Sequence, residues 1–525
     1  MKKSFILALL SMFSFAQAQT TVDTIRTDIT TNTTWNSGTI YLLEGNRFVK
    51  NGATLTIEPG TIIRGDKASK GTLIITKNGR IYANGTAAQP IIFTSNQTVG
   101  QRTYGDWGGV VILGNATTNI PGGVGIIEGG LLGQDATYGG TDDEDSSGVF
   151  RYVRIEFPGI AYQPNSEING LTFGGVGSKT VVENVQVSYS GDDSYEWFGG
   201  TVNCKYLIAH RGWDDDFDTD FGYRGKVQFA LSMRDPQIAD QSQSNGFESD
   251  NDGTGTSNTP QTAPIFSNVT IIGPKENGGP AGPASLYRRA LHLRRNTRTS
   301  VYNSLFMGYP TGLHIDGSSA QLNATNDSLQ IERVVFANMT NKFEQTQGTN
   351  TWAGMLNYFG DTLRGNEIFD STSQIGLSSG YNSLTNPQLL PQQNSILLTG
   401  ASFSNPRLSN NFFTPVYHRG AFGQSDWTSG WSNFNPDTIR TSVRYMEISN
   451  RMNVYPNPIK NEFMVECGER ITNISVFNIM GSNVQSDITY NENHSMVTIV
   501  DNVSGILFVN ITTPSGNYTT RIIKN

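Results

Sequence analysis

Phe-Gly or Gly-Phe recurs at Phe173-Gly174, Phe198-Gly199, Phe221-Gly222 and Gly246-Phe247, with Phe spacings of 25 (198 − 173), 23 (221 − 198) and 26 (247 − 221). One buried-type aromatic per period in the twenties is the mark of a solenoid, in which each coil buries its apolar face only against the next. Short strand-like runs broken by Gly, Asn, Asp and Ser carry the repeat, from Ala53–Ile57, Gly71–Ile75 and Gly109–Leu113 to Val202–Ile208, Val269–Ile272 and Val334–Phe336. Their apolar positions are continuous rather than strictly alternating, as parallel strands covered by their own coil require. Helix-period spacing is nearly absent, so the chain reads as all-β. Asn184, Asn268 and Asn303 each sit just before a strand. Stacked amides would form a ladder there, while turn chemistry accounts for them equally well.

Residues 1–18 have the pattern of an export signal: Lys2 and Lys3, an apolar stretch from Phe5 to Phe15, then Ala16-Gln17-Ala18. No later run reaches the roughly 18 apolar residues that a membrane span needs. Two cysteines, Cys204 and Cys467, in a chain of 525 residues make no disulfide scaffold. The formal charge is −8, and the segment Asp192–Asp252 alone carries 13 acidic and 5 basic residues, the same net −8. That balance argues against a nucleic-acid partner, which needs clustered Lys and Arg.

Gly52–Thr61, followed by Tyr82–Thr86 and Pro90–Thr94, resembles the first coils of right-handed parallel β-helix proteins of the pectin-lyase-like group. The resemblance implies a parallel β-helix over residues 19–345 and leaves the activity open. Residues 346–440, irregular and rich in aromatics, are expected to cap its open end, with a linker at 441–453. From Tyr455-Pro456-Asn457-Pro458 onward, through Ile474–Asn478, Met480-Gly481 and the final Arg521–Lys524, the order of elements resembles the C-terminal sorting domain of the type IX secretion system of Bacteroidetes. The resemblance implies a small antiparallel β-sandwich over 454–525. It also implies the type IX secretion machinery as partner, and a chain secreted or anchored to the outer-membrane surface.

The acidic segment is the functional lead. With each Phe of the repeat pointing inward, counting by two puts Asp214, Asp216, Asp218 and Asp220 outward in one coil. Asp193, Tyr195 and Trp197 then face outward in the coil before it, and Glu248, Asp250 and Asp252 in the coil after. Carboxylates about 5 Å apart repel by roughly 3 kcal/mol at an effective dielectric of 20. Asp214, Asp216, Asp218, Asp220, Glu248, Asp250 and Asp252 are therefore candidate Ca²⁺ ligands, with a solvated acidic face as the alternative. Tyr195, Trp197, Trp213 and Tyr223 are candidate sugar-stacking rings beside them. Arg288, Arg289, Arg294, Arg295 and Arg298 are expected to balance charge on neighbouring coils.

For catalysis, Gly191-Asp192-Asp193, His210-Arg211-Gly212 and Arg224-Gly225-Lys226 resemble the Asp-Asp, His-Gly and Arg-x-Lys order of polygalacturonases, without the upstream Asn-Thr-Asp. That resemblance makes Asp192 and Asp193 acid and base, His210 their support, and Arg224 with Lys226 the uronate site. Asp216 and Asp218 are further candidate carboxyls for glycoside hydrolysis. The expected function is binding of polysaccharide or another surface ligand, with Ca²⁺ as the candidate cofactor. A polysaccharide hydrolase or lyase, and a structural or adhesion protein, are the alternatives.

Overall fold

The computed structural model describes residues 21–163, 166–279, 286–344, 354–438, 452–467, 470–478, 482–490, 494–513 and 516–525. The expected export signal, the junction at 441–451 and Met480-Gly481 lie outside these ranges. The chain divides into two compact units, with the boundary between Ser442 and Val443.

In the first unit most of the described strands form two long parallel sheets, of 17 and 10 strands, and two short antiparallel pairs stand apart from them. The larger sheet carries two columns per coil, because a residue with positive φ bends the strand in its middle. Tyr152, Asn184, Tyr206, Phe229, Asn268 and Asn303 all sit at that bend, with φ between 49° and 62°. Asn reaches this left-handed region more easily than other non-glycine residues, which is why three of the six are Asn. They do not build an amide ladder, because aromatic residues occupy the same column, Tyr206 stacking on Phe229 at 5.1 Å.

The smaller sheet forms the third face and positions the site. Its central strands are β1 (Leu171–Gly174), β2 (Tyr195–Phe198), β3 (Phe217–Asp220), β4 (Phe247–Ser249), β5 (Arg289–Leu293) and β6 (Thr311–Ile315). In register, Leu171, Tyr195 and Phe217 follow one another and Phe247 continues the row, all facing inward and fully buried. Inside, Trp197 stacks on Phe173 at 5.7 Å, on Tyr195 at 5.9 Å and on Tyr223 at 5.4 Å. The Phe repeat thus mixes two parities. Phe173 and Phe247 point in, whereas Phe198 faces out beside Asp220 and packs with Phe221 in a separate outer cluster.

Closure of the end belongs to a short part of the expected cap. The helix Met355–Gly360 brings Phe359 against Phe336 at 4.9 Å and joins the solenoid core. From Ile375 on, the chain turns back and runs as a strap along the outer wall of the larger sheet. Ile375, Leu389, Leu397, Phe422 and Trp431 cover Ile208, Leu231, Met233, Ile272, Leu305, Met307 and Val335. Side-chain amides of the wall clasp the strap backbone in both directions. Gln186 pairs with Asn433 at 2.8 Å each way, Gln228 with Thr414 at 2.8 Å each way, and Asn303 with Ser402 at 3.1 and 2.9 Å. Each clasp satisfies a strap N–H and C=O that have no strand partner.

The second unit holds two four-stranded antiparallel sheets among the described residues. Phe463, Val465, Ile474, Val476, Val497, Val509 and Ile522 face one core. On the strand Glu462–Cys467 the buried Phe463 and Val465 alternate with the less covered Glu462, Met464 and Glu466, the period of a sheet with one covered face.

Candidate functional site

On the outward face of the smaller sheet, Thr172, Glu196, Asp218, Glu248, His292 and His314 follow one another across β1 to β6. Neighbours on such a ladder are about 4.8 Å apart. One turn earlier in each coil, Asp193 and Asp215 enter the same region, joined by the Asp215 N–H donating to Asp193 Oδ1 at 2.7 Å. Two groups of carboxylate oxygens result, Asp193–Glu196–Asp218 and Asp215–Asp218–Glu248, each with its members within 4.8 Å of one another and sharing Asp218. A third, Asp192–Asp193–Asp214, adjoins them. Asn169 bridges the rim, its Nδ2 donating to Glu128 at 2.9 Å and to Glu196.

Little positive charge reaches the centre. Among the described residues Asp193, Glu196, Asp215 and Asp218 make no ion pair, while Arg294 pairs with Glu248 and, at 2.8 Å, with Asp250. Burial, and then the surrounding carboxylates, push Asp193, Glu196, Asp215 and Asp218 well above the usual carboxyl range. Burial raises Asp214 to about 6. Glu248 behaves in the opposite way. Burial would raise it too, but the His292 hydrogen bond and the Arg294 guanidinium hold it below its ordinary value.

The seven expected cation ligands therefore divide. Asp218 and Glu248 stand in the central groups and Asp214 in the adjoining one. Asp220 faces out next to Phe198, its carboxylate accepting the Phe221 N–H at 2.6 Å. Asp216 does not face out. It lies at the bend entering β3 and turns inward to Arg234 at 2.7 Å, both side chains fully buried. Asp250 is neutralised by Arg294 and Arg295, and Asp252 is held by the N–H groups of Thr254 and Thr256 at 3.1 and 3.0 Å.

The expected sugar platform is corrected more sharply. Tyr195, Trp197 and Tyr223 are fully buried core rings, so no ligand reaches them. Trp213, 38% exposed and next to Asp214, keeps the role open. The inversion arose because counting from Phe198 as an inward residue reversed the parity of β2.

The polygalacturonase-like set does not assemble. His210 lies on the larger sheet, fully buried, with Nε2 donating to the strap carbonyl of Leu384 at 2.9 Å. Arg224 binds Asp143 and Thr117, both at 2.7 Å, and Lys226 is half-buried with its backbone N–H on Asn203. Only Asp192 and Asp193 reach the carboxylate face.

His210 instead sets an acid limit on stability. Burial, and then the Arg211 charge, lower its pKa from 6.5 to about 3. The unfolded chain takes up this proton near 6.5 and the folded one does not. Stability is thus complete above that pH and is lost as pH falls towards 3, at about 1.4 kcal/mol per pH unit. His210→Gln, which keeps a donor for Leu384, is expected to flatten the fall in melting midpoint between pH 6 and pH 4; an unchanged slope refutes this.

Sequence reasoning missed Glu196, Asp215, Glu128 and Asn169, and also the His292–His314 pair. The signal for the ladder was present as coil spacing: 22 from Glu196 to Asp218, 30 to Glu248, 44 to His292 and 22 to His314.

A family model described as a pectate-lyase like beta helix domain matches residues 27–375, and one described as a secretion system C-terminal sorting domain matches 453–525. A search of curated proteins finds no match. The sorting domain engages the type IX secretion machinery and directs the chain to the medium or to the outer-membrane surface. No described helix is long and apolar enough to cross a membrane. With roughly two thirds of its length matched and its parallel coils in place, the chain belongs to the pectate-lyase-like β-helix family.

Proposed function

We propose that the outward face of β2 to β4 is a Ca²⁺ site through which the secreted protein binds polysaccharide. The observation that carries this reading is the crowding of Asp193, Glu196, Asp215, Asp218 and Glu248 into two overlapping groups in which, among the described residues, Glu248 alone meets basic side chains, Arg294 and His292. Buried like charges at such separations need cations or protons. Hard, flexible oxygen donors suit Ca²⁺, which takes six to eight of them at about 2.3–2.6 Å. Thr172 Oγ1, buried next to Glu196 on the ladder and without a hydrogen-bond partner among the described residues, is a further donor within the same row. Sugar hydroxyls or uronate carboxylates would complete the shell, with the Trp213 ring stacking at the rim.

Melting the purified protein in EDTA and in millimolar Ca²⁺ tests the site. A Ca²⁺ concentration near 1,000 Kd adds about 4 kcal/mol, so a rise of about 5 °C in midpoint is expected. Asp218→Asn, which enters both groups, should abolish most of it. Equal midpoints with and without Ca²⁺ would reject the reading. Retention on a panel of immobilised glycans, with and without Ca²⁺, tests the ligand.

A second reading has its own observation. Asp218 and Glu248 are neighbours whose environments drive their pKa values apart, one up and one down, as an acid and a nucleophile require. Their oxygens lie within 4.8 Å, near the separation of about 5 Å used by retaining glycosidases. New reducing ends from a glycan that Asp218→Asn leaves intact would establish the hydrolase. No product and no retention would leave a structural or adhesion role.

A further inference from the structure

At the far end of the same ladder, His292 on β5 and His314 on β6 stand above one another, ring centroids 5.2 Å apart and planes 4° from parallel. They are 4% and 2% exposed. Imidazole is a costly core residue, because each ring has two polar nitrogens that need partners once water is excluded. Glu248 serves His292 Nδ1 at 3.3 Å. His292 Nε2 and both nitrogens of His314 have no hydrogen-bond partner among the described residues.

The two Nε2 atoms face Asp316, the residue after β6. Its Oδ2 is 3.5 Å from His292 Nε2 and its Oδ1 is 3.6 Å from His314 Nε2. Both distances exceed an N–H···O bond of about 2.7–3.2 Å. They approach the edges of a coordination tetrahedron, about 3.3 Å for metal–ligand bonds near 2.0–2.1 Å. The three donors lie within 4.8 Å of one another, so a modest convergence of the two rings closes the shell.

The surroundings have the form that metal-binding histidines use. Glu248 at His292 Nδ1 fixes the tautomer that leaves Nε2 as the donor. Glu344 Oε2 lies 3.9 Å from His314 Nδ1, and Arg289 holds that carboxylate with bonds of 2.6 and 2.9 Å. Each imidazole thus has a carboxylate behind it and the Asp316 carboxylate in front.

We propose that His292 Nε2, His314 Nε2 and Asp316 bind a divalent cation of the zinc class. Two imidazoles and one carboxylate select borderline ions over Ca²⁺, which prefers an all-oxygen shell. Three protein donors leave one place of a four-coordinate shell for water or a ligand group, on the side where the Asp316 side chain is 31% exposed. The three ligands are distinct from those of the calcium reading of β2 to β4, and Glu248, which belongs to that reading, serves here to orient His292.

The test is calorimetric titration of the EDTA-treated, dialysed protein with Zn²⁺ in the presence of millimolar Ca²⁺. The expected result is one equivalent per chain, weakened about 100-fold or more in His314→Gln and at least 10-fold in Asp316→Asn. Asp316 is partly exposed beyond a strand end, so Asp316→Asn decides the matter if His314→Gln fails to fold. Asp215→Asn, which alters only the calcium groups, should leave Zn²⁺ affinity unchanged. No Zn²⁺ binding, equal binding by Asp316→Asn and the parent, or an equal loss in Asp215→Asn would each overturn the assignment.

Discussion

Asp216→Asn is expected to lower stability by about 3–5 kcal/mol, because it leaves a fully buried arginine without its counter-charge. Arg234 Nη1 meets Asp216 Oδ1 at 2.7 Å, its Nη2 donates to the Asp214 carbonyl at 2.6 Å, and its guanidinium lies 4.9 Å over the Tyr287 ring. Ser232 donates to the other carboxylate oxygen. Burial raises the Asp216 carboxyl, and the Arg234 charge opposes that rise. Neutralising one partner removes the attraction while the desolvation cost of the other remains. Arg234→Met alone should be as damaging, whereas Asp216→Leu with Arg234→Met should recover most of the loss, since a well-packed apolar pair tolerates burial. Denaturant melts of the three variants check this. An Asp216→Asn protein within 1 kcal/mol of the parent would refute it. Asp218→Asn is the contrasting case: two positions along, it removes an uncompensated charge and should not destabilise the EDTA-treated protein.

Trp197→Ala is expected to cost about 3–5 kcal/mol, as large-to-small changes at packed aromatic sites do. Its indole is fully buried and in ring contact with Phe173, Tyr195, Tyr223 and Phe266, so no neighbouring coil can fill the void without shifting. Trp213→Ala should leave the melt almost unchanged and reduce glycan retention. Measuring midpoint and retention on both variants separates a core ring from a contact ring. A Trp197→Ala protein that melts normally would contradict the inward parity of β2.

The contrast between these two tryptophans shows how far the sequence could be read. Gly turns and continuous apolar runs identify parallel coils because they state what each strand buries, and the coil period follows from their spacing. Parity does not follow from one aromatic per coil. Phe198 and Phe221 have an apolar cover of their own from Ile127, Leu131 and Tyr138, so an outward Phe costs nothing there. Asp218 and Glu248 were legible because β3 and β4 obey the alternation. Asp216 was not, since a side chain at a bend can turn in when an arginine waits one strand away. The histidine pair sits 22 residues apart, one coil, and only comparison across coils would have revealed it. The strap was invisible for a different reason: its contacts are to a distant wall, so its own sequence shows no period.

That strap also governs the order in which the protein can mature. Asp437 accepts a bond from the Gly100 N–H at 2.9 Å across 337 residues of chain, and Asn433 reaches back to Gln186 across 247. Contacts of such sequence separation form late, because the loop-closure entropy must be met before they give any return. Until residues 375–438 arrive, the stripe from Ile208 to Val335 stays wet, an apolar surface that favours association with other chains. A stop or a cleavage ahead of Ile375 would therefore release coils with an unguarded flank. Completion of this solenoid waits for the far end of its own unit.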